Sequence, residues 1–308
     1  MTIARNSIVR GPGSVSLGAQ QFLDKSGISA EIAIETFDIP VQGIGSIDQR
    51  IKDAMGKISF TPAGNITAGI LTALYPHQNP TIGSSLFGDT DVAAVVHSMA
   101  GTKVTFASAA LTRMPSLKLS AINTAFGAAE ITAVVANNTA RSTANSLYTI
   151  ASEAWAGAIT RADWKTAPYV GAWGTAITGI IGADGWDVDI EMGVSPVAVD
   201  GEGTIDMTLT GVTVRAKCRP VGLAETLLDS MALQGAAGAL VGSTLRLGND
   251  LTIAATGGLT VILKDAALVR GPLAWGDGQL RVNEIGFIAN RNFTDGVADT
   301  LFSVALTA

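Results

Sequence analysis

The sequence predicts a mainly β protein built from two tandem homologous units, each with one flanking α-helix. Three observations carry this reading. Segments recur in the same order at a nearly constant offset, apolar and polar residues alternate over long stretches, and in each copy a Pro-x-Gly is followed by one run at helical spacing. The clearest repeated pair is Lys103-Val-Thr-Phe-Ala-Ser-Ala-Ala-Leu-Thr-Arg-Met-Pro115 against Thr260-Val-Ile-Leu-Lys-Asp-Ala-Ala-Leu-Val-Arg-Gly-Pro272, an offset of 157 residues.

The match continues near that offset. Gly27-Ile28 answers Gly185-Trp186, Gly43-x-Gly45 answers Gly201-x-Gly203, Ile47-Asp48 answers Ile205-Asp206, and Pro62-x-Gly64 answers Pro220-x-Gly222. Later, Ala144-Asn-Ser-Leu-Tyr-Thr-Ile-Ala151 answers Ala298-Asp-Thr-Leu-Phe-Ser-Val-Ala305 at an offset of 154, so the second copy is slightly shorter. The expected units are 1–151 and 170–308, joined by a linker at 152–169. The alternative is one large β domain in which similar turn chemistry recurs by accident.

Each unit reads as strands, one helix, then strands. In the first, Ile47–Ala54 and Lys57–Thr61 form a hairpin around Gly56, and a helix at Asn65–Tyr75 is capped by Asn65. Strands follow near Val92–His97, Lys103–Leu111, Leu117–Ile122 and Ile131–Val135. In the second, Ile205–Thr210 and Val212–Arg219 form the matching hairpin with a turn at Gly211. Ile205, Met207, Leu209, Val212, Val214 and Cys218 then fall on apolar faces. A helix at Leu223–Gln234 ends at Gly235, and strands resume at Leu251–Ala254, Thr260–Val269, Gln279–Val282 and Ile285–Ala289.

Composition narrows the function classes. The 308 residues include one cysteine, so no disulfide scaffold is expected, and the chain is long enough for a core that needs none. Only 15% of residues are charged against 47% hydrophobic, and mean hydropathy is +0.37. No apolar run approaches the ~18 residues of a spanning helix, so no membrane insertion is expected. The first residues lack an apolar h-region and cleavage site, which predicts folding in a cytoplasm. A net charge of -6 argues against tight phosphate binding. Low charge with high apolarity suggests a surface covered by other subunits.

No motif carries catalysis, and the chain is expected not to be an enzyme and to hold no cofactor. His77 and His97 are the only histidines and sit in no ligand or triad spacing. Cys218 alternates into an apolar strand face and reads as core. Asp200-Gly-Glu-Gly-Thr-Ile-Asp206 departs from a calcium loop, and Gly11-Pro-Gly13 and Gly43-Ile-Gly45 lack the further glycines of a nucleotide loop, so no metal site is expected. Trp155, Trp164, Trp173 and Trp186 cluster around the linker and read as packing of the joint between repeats.

Several short motifs together resemble a family. They are Asp48-Gln-Arg50-x-x-Asp53, Lys57-Ile-Ser-Phe-Thr-Pro-Ala-Gly64, Leu74-Tyr-Pro76, Gly83-x-x-Leu-Phe-Gly88-x-x-Asp91, His97-Ser-x-x-Gly101 and Arg113-Met-Pro115. This order resembles bacteriophage tail tube (major tail) proteins over most of the first unit and, through the repeat, the second. The resemblance implies β-sandwich or barrel units with a flanking helix, whose sheets join those of neighbours into a continuous barrel. Rings of such subunits stack into the tube through which DNA passes, with a tape-measure protein and a tail terminator as partners.

Members of that family mostly carry one unit and form sixfold rings, so the duplication here implies a trimer with pseudo-sixfold symmetry. The chain would be assembled in the host bacterial cytoplasm and reside in the virion tail. Asp48, Asp53 and Asp206 are candidates for the lumen lining or the subunit interface, and Gln78, Asn79, Phe87 and Asp89 for an inter-ring loop. Gln78–Thr90 and Arg10–Leu17 are candidates for ordering on assembly. Arg215, Lys217 and Arg219 share one strand face and are assigned to a ring-ring or outer surface, because an acidic lumen lets DNA slide. Two alternatives stay open: the tube of a contractile injection particle or gene-transfer agent, and a carbohydrate-binding β-sandwich.

Overall fold

A computed structural model describes residues 13–64, 66–88, 92–98, 101–122, 124–135, 147–153, 167–175, 177–200, 203–221, 249–269, 273–276, 279–282, 284–290 and 300–307. The protein is mainly β, and every strand ladder is antiparallel. Strands β1 (Gly13–Leu17), β2 (Gln20–Asp24), β3 (Ser29–Val41), β4 (Gly45–Phe60) and β5 (Pro62–Ala63) lead into helix α1 (Ala68–Leu74). Then come β6 (Ala94–Ser98), β7 (Thr102–Phe106), β8 (Ser108–Arg113), β9 (Leu117–Leu119), β10 (Ala125–Phe126), β11 (Ala129–Val134) and β12 (Tyr148–Ser152). The remainder comprises β13 (Val170–Trp173), β14 (Ile177–Val199), β15 (Gly203–Pro220), β16 (Leu251–Ala254), β17 (Leu259–Leu263), β18 (Ala267–Val269), β19 (Leu273–Gly276), β20 (Gln279–Val282), β21 (Ile285–Ile288) and β22 (Phe302–Leu306).

Two runs of pairing recur. Among the early strands, one sheet runs β12-β7-β6-β1-β2-β5 and another β3-β4-β11-β8. Among the later strands, β22-β17-β16-β13 pairs with the first residues of β14, while the rest of β14 heads the series β14-β15-β21-β18. The order is the same in both. Where β2 and β3 are separate strands, the long β14 serves both sheets by bending through Gly185. Gly185 has a φ of +85° and passes so close to the Leu119 carbonyl that a side chain there would collide with it.

The two long hairpins match in detail. Pairs Glu35↔Asp53, Thr36↔Ile51, Ile39↔Asp48 and Pro40↔Ser46 of β3–β4 correspond to Gly193↔Gly211, Val194↔Leu209, Val197↔Asp206 and Ala198↔Thr204 of β14–β15. Every member is shifted by 158 residues, and both hairpins carry β-bulges at the same two steps.

The expected turns at Gly56 and Gly211 are not there. Gly56 lies inside β4 opposite Ile32, and Gly211 lies inside β15 opposite Gly193. Each pair of expected short strands is one long strand. The glycine at 56 answers a packing demand, because the Phe106 ring lies where its side chain would be. Conversely, the expected single strands Lys103–Leu111 and Thr260–Val269 are each two, β7 with β8 and β17 with β18, because the chain passes from one sheet to the other. Helix α1 is capped by Thr67, whose Oγ1 accepts from the Ile70 N–H at 3.3 Å, and not by Asn65, which lies outside the described residues. The expected second helix at 223–234 also lies outside them. Among the described residues no helix is long and apolar enough to cross a membrane.

One apolar core runs through both sets of strands. Phe22, Ile58, Phe60, Phe106 and Ile131 fill the early part; Trp173, Trp186, Val214, Ile253 and Phe287 fill the later part. Leu71 and Leu74 of α1 are buried, and Tyr75 meets the Phe302 ring edge-on at 6.2 Å. Trp173 and Trp186 flank Phe287 at 5.7 and 6.2 Å, and the Trp173 indole N–H donates to the Ala266 carbonyl. Tyr169, inside the expected linker, is itself buried and its hydroxyl accepts from the Leu259 N–H. Trp155 and Trp164 lie outside the described residues.

The two misread glycines make a paired test. Gly56→Ala puts a Cβ at 2.5 Å from Phe106 Cε1 and should lower stability by about 1–3 kcal/mol. Gly211→Ala meets nothing within 4 Å and should leave the urea midpoint unchanged or slightly raised.

Candidate functional site

The site is the surface on which the β14–β15 hairpin is seated. A two-stranded ribbon buries little by itself, so its apolar side needs a cover. Three sets of contacts hold this ribbon to the early strands. At its base, Trp186, Asp187 and Val188 pair with Leu119, Lys118 and Leu117 of β9. Farther out, the segment after α1 runs along the outer edge of β15: the Gly83 and Leu86 N–H groups donate to the Leu209 and Met207 carbonyls, and the Leu209 N–H donates to the Ser84 carbonyl. Near the tip, Asp53 of β4 accepts from the Thr204 N–H at 2.9 Å and from its hydroxyl at 2.6 Å. Apart from the ribbon, Gln78 ties the end of α1 to β22: its carbonyl accepts from the Leu301 N–H at 2.8 Å, and its side-chain oxygen accepts from the Val304 N–H at 3.2 Å.

These contacts locate the residues expected from sequence. Asp53 is a clamp within the chain. Asp206 accepts from the Ser85 hydroxyl at 2.9 Å and from the Met207 N–H, so it too serves the seat. Asp48, the counterpart of Asp206 at an offset of 158, is exposed; its carboxylate accepts from the neighbouring Gln49 N–H, and its backbone carbonyl from the Ser46 hydroxyl at 3.3 Å. Gln78 is half-buried at the joint described above. Asn79 is exposed and Phe87 half-buried, while Asp89 lies outside the described residues. The structure therefore brings Asp53 and Asp206 into the seat of the hairpin, sets Gln78 against β22, and leaves Asp48 and Asn79 in solvent.

Sequence reading missed Thr204 and Ser85. The signal for Thr204 was weak but present: it follows the second glycine of Gly201-x-Gly203, and Gly203 adopts a φ of +73°, as Gly45 does at +91° in the first hairpin. A side chain at 203 would collide with Asp53, so this glycine lets the two strands meet.

The charged face opposite the core carries opposite charges side by side. Arg215 faces Glu191 at 3.2 Å, Arg219 faces Asp184 at 3.6 Å, Lys118 faces Asp187 at 3.7 Å and Lys217 faces Glu284 at 3.9 Å. Each pair is exposed and contributes little stability, yet together they cancel the basic stripe that sequence suggested. An open groove of about 300 Å³ lies where β9, β10 and β14 meet, lined by Lys118, Phe126, Asp187, Asp189 and Lys217. Cys218 is buried in the core, and burial together with the Glu284 charge pushes its thiol up to about 12, which leaves it unreactive at neutral pH. Among the described residues, no three His, Cys, Asp or Glu side chains are grouped to hold a metal ion.

No protein-family model matches this chain, and no curated protein is significantly similar to it.

Burial alone would push the Asp53 carboxyl up. Hydrogen bonds from the Thr204 side chain and backbone and from the Ala54 N–H, with the Lys52 charge nearby, outweigh it and hold the group below the ordinary 3.8. A depressed carboxyl stabilises the fold above its unfolded value, and that contribution is lost as pH falls through the folded value. Asp53→Ala, which strands two donors of the 4% exposed Thr204, should cost about 1–3 kcal/mol at pH 7 in denaturant titrations. The gap between wild type and variant should narrow as pH is lowered below 3.8.

Proposed function

We propose that this chain is a structural, non-enzymatic tube subunit, similar to bacteriophage tail tube proteins, in which one tube unit has been duplicated in tandem. The observation that carries the proposal is the doubled sheet. The series β3-β4-β11-β8 and β14-β15-β21-β18 have the same order and hairpin register, and β9, which follows β8, hands on to β14. Among the described residues, the result is a row of strands with a free edge at each end, β3 and β18. Free edges in a sheet must be blunted, covered or paired, and pairing end to end among copies removes them. Two units per chain make a six-unit ring from three chains, so the ring is a trimer with pseudo-sixfold symmetry.

The remaining features support the same reading. The face opposite the core, assigned above to a ring-ring or outer surface, carries acids and bases in neutralising pairs and so offers DNA no basic track whichever way it is turned. Local pairing of charge on this face adds to the net charge of -6 in disfavouring phosphate binding. In this role the subunit stacks as rings in a virion tail assembled in the bacterial cytoplasm, alongside a tape-measure protein and a tail terminator. The sugar-binding alternative loses two of its platforms, because Trp173 and Trp186 are buried and present no face to a ligand.

Electron microscopy of the purified protein tests the proposal. Stacked rings or tubes with threefold symmetry, each chain spanning a third of the ring, are the expected result. True sixfold density with one chain per sixth rules out the trimer, and a monomer that retains glycans rules out the tube.

A further inference from the structure

We infer that the β3–β4 hairpin is seated on a second copy of this chain, at the β18–β19 end of that copy, in the way β14–β15 is seated on β9 within the chain. The inference rests on the duplication proposed above and names the surface through which copies join.

The two hairpins have one register but opposite surroundings. Ile190 is 5% exposed and Leu209 is 0% exposed, whereas their counterparts Ile32 and Ile51 are 37% and 66% exposed. Ile34, counterpart of the core-packed Met192, is 56% exposed. Three isoleucines thus occupy, in water, the face that the matching hairpin buries, and covering them would remove apolar surface from water.

The backbone repeats the contrast. Both polar groups of Leu209 are bonded to the segment after α1, but the ladder between β4 and β11 stops at Gly56, and no described residue pairs the outer edge of Gln49–Ile51. At the other end of the row, β18 has no neighbour beyond β21 among the described residues, and β19 follows it as β9 follows β8. β19 pairs with β20 as β9 pairs with β10. Among the described residues, one copy therefore ends in an unseated hairpin and the other in a vacant seat. Contacts of this head-to-tail kind close into rings when the rotation permits.

The junctions within and between chains differ in one respect. The counterpart of the clamp residue Asp53 is Gly211, and that of Thr204 is Ser46. The junction between copies therefore lacks the carboxylate clamp and relies on the isoleucine face and strand pairing.

Sedimentation velocity and hydrogen exchange on the full-length chain test this. Wild type should sediment as a closed multiple of the chain, Ile34→Lys and Ile51→Lys at the mass of one chain with unchanged circular dichroism, and Ile34→Val like wild type. Amides at 49–51 should exchange about tenfold or more faster in the lysine variants, while those at 207–209 stay protected. Lysine variants that keep the wild-type mass overturn the inference, as does a wild type that remains monomeric with fast exchange at 49–51. Should a variant lose its circular dichroism, wild-type exchange at 49–51 decides alone. Closed oligomers that never stack leave this inference standing and defeat the tube; tubes formed unchanged by both lysine variants do the reverse.

Discussion

The structure depends on one constraint: a long β-hairpin with an apolar side has to be covered by something other than itself. The β14–β15 ribbon satisfies this by lying across the early strands, and the rest of the chain is arranged to receive it. β9 offers a strand edge, residues 83–86 offer a second one, Asp53 offers a carboxylate, and Gln78 secures β22 beside the helix. Remove the seat and Leu209 and Ile190 would be as exposed as their counterparts Ile51 and Ile32. Among the described residues the same constraint is unsatisfied in β3–β4.

Electrostatics plays the smaller part. The exposed ion pairs across the charged face are worth little individually, since water and salt screen them and long side chains lose freedom in forming them. Their effect is on the field: arginines and lysines that read as a basic stripe in one dimension are neutralised by Glu191, Asp184, Asp187 and Glu284 from adjacent strands. Asp53 differs because its partner Thr204 is buried, so its hydrogen bonds replace water rather than compete with it.

Local pattern misled in an instructive way at the glycines. Gly56 and Gly211 interrupt alternating stretches and therefore read as turns, yet both sit within continuous strands. Glycine is favoured where the chain must reverse, and equally where another group needs the space of a side chain. Gly56 is the second case, under Phe106, and the sequence around it cannot announce a ring that arrives from residue 106. The same holds at Gly185, where the intruder is the Leu119 carbonyl, and at Gly203, where it is Asp53.

By itself the sequence determined the β character, the position of α1 to within three residues at its start, and the ends of β16 and β20. It also determined the offset at which the two hairpins share a register. These follow from alternation, spacing and self-similarity, which are properties of neighbours along the chain. Only the tertiary structure decided that Asp53 meets Thr204, that Ser85 meets Asp206, and that Gln78 meets β22. It alone decided that one of two matching hairpins is covered and the other bare. Asp48 and Asp206 are the same residue type at matching positions, so no local pattern separates them. What separates them is which surface lies opposite, and that depends on residues more than a hundred positions away.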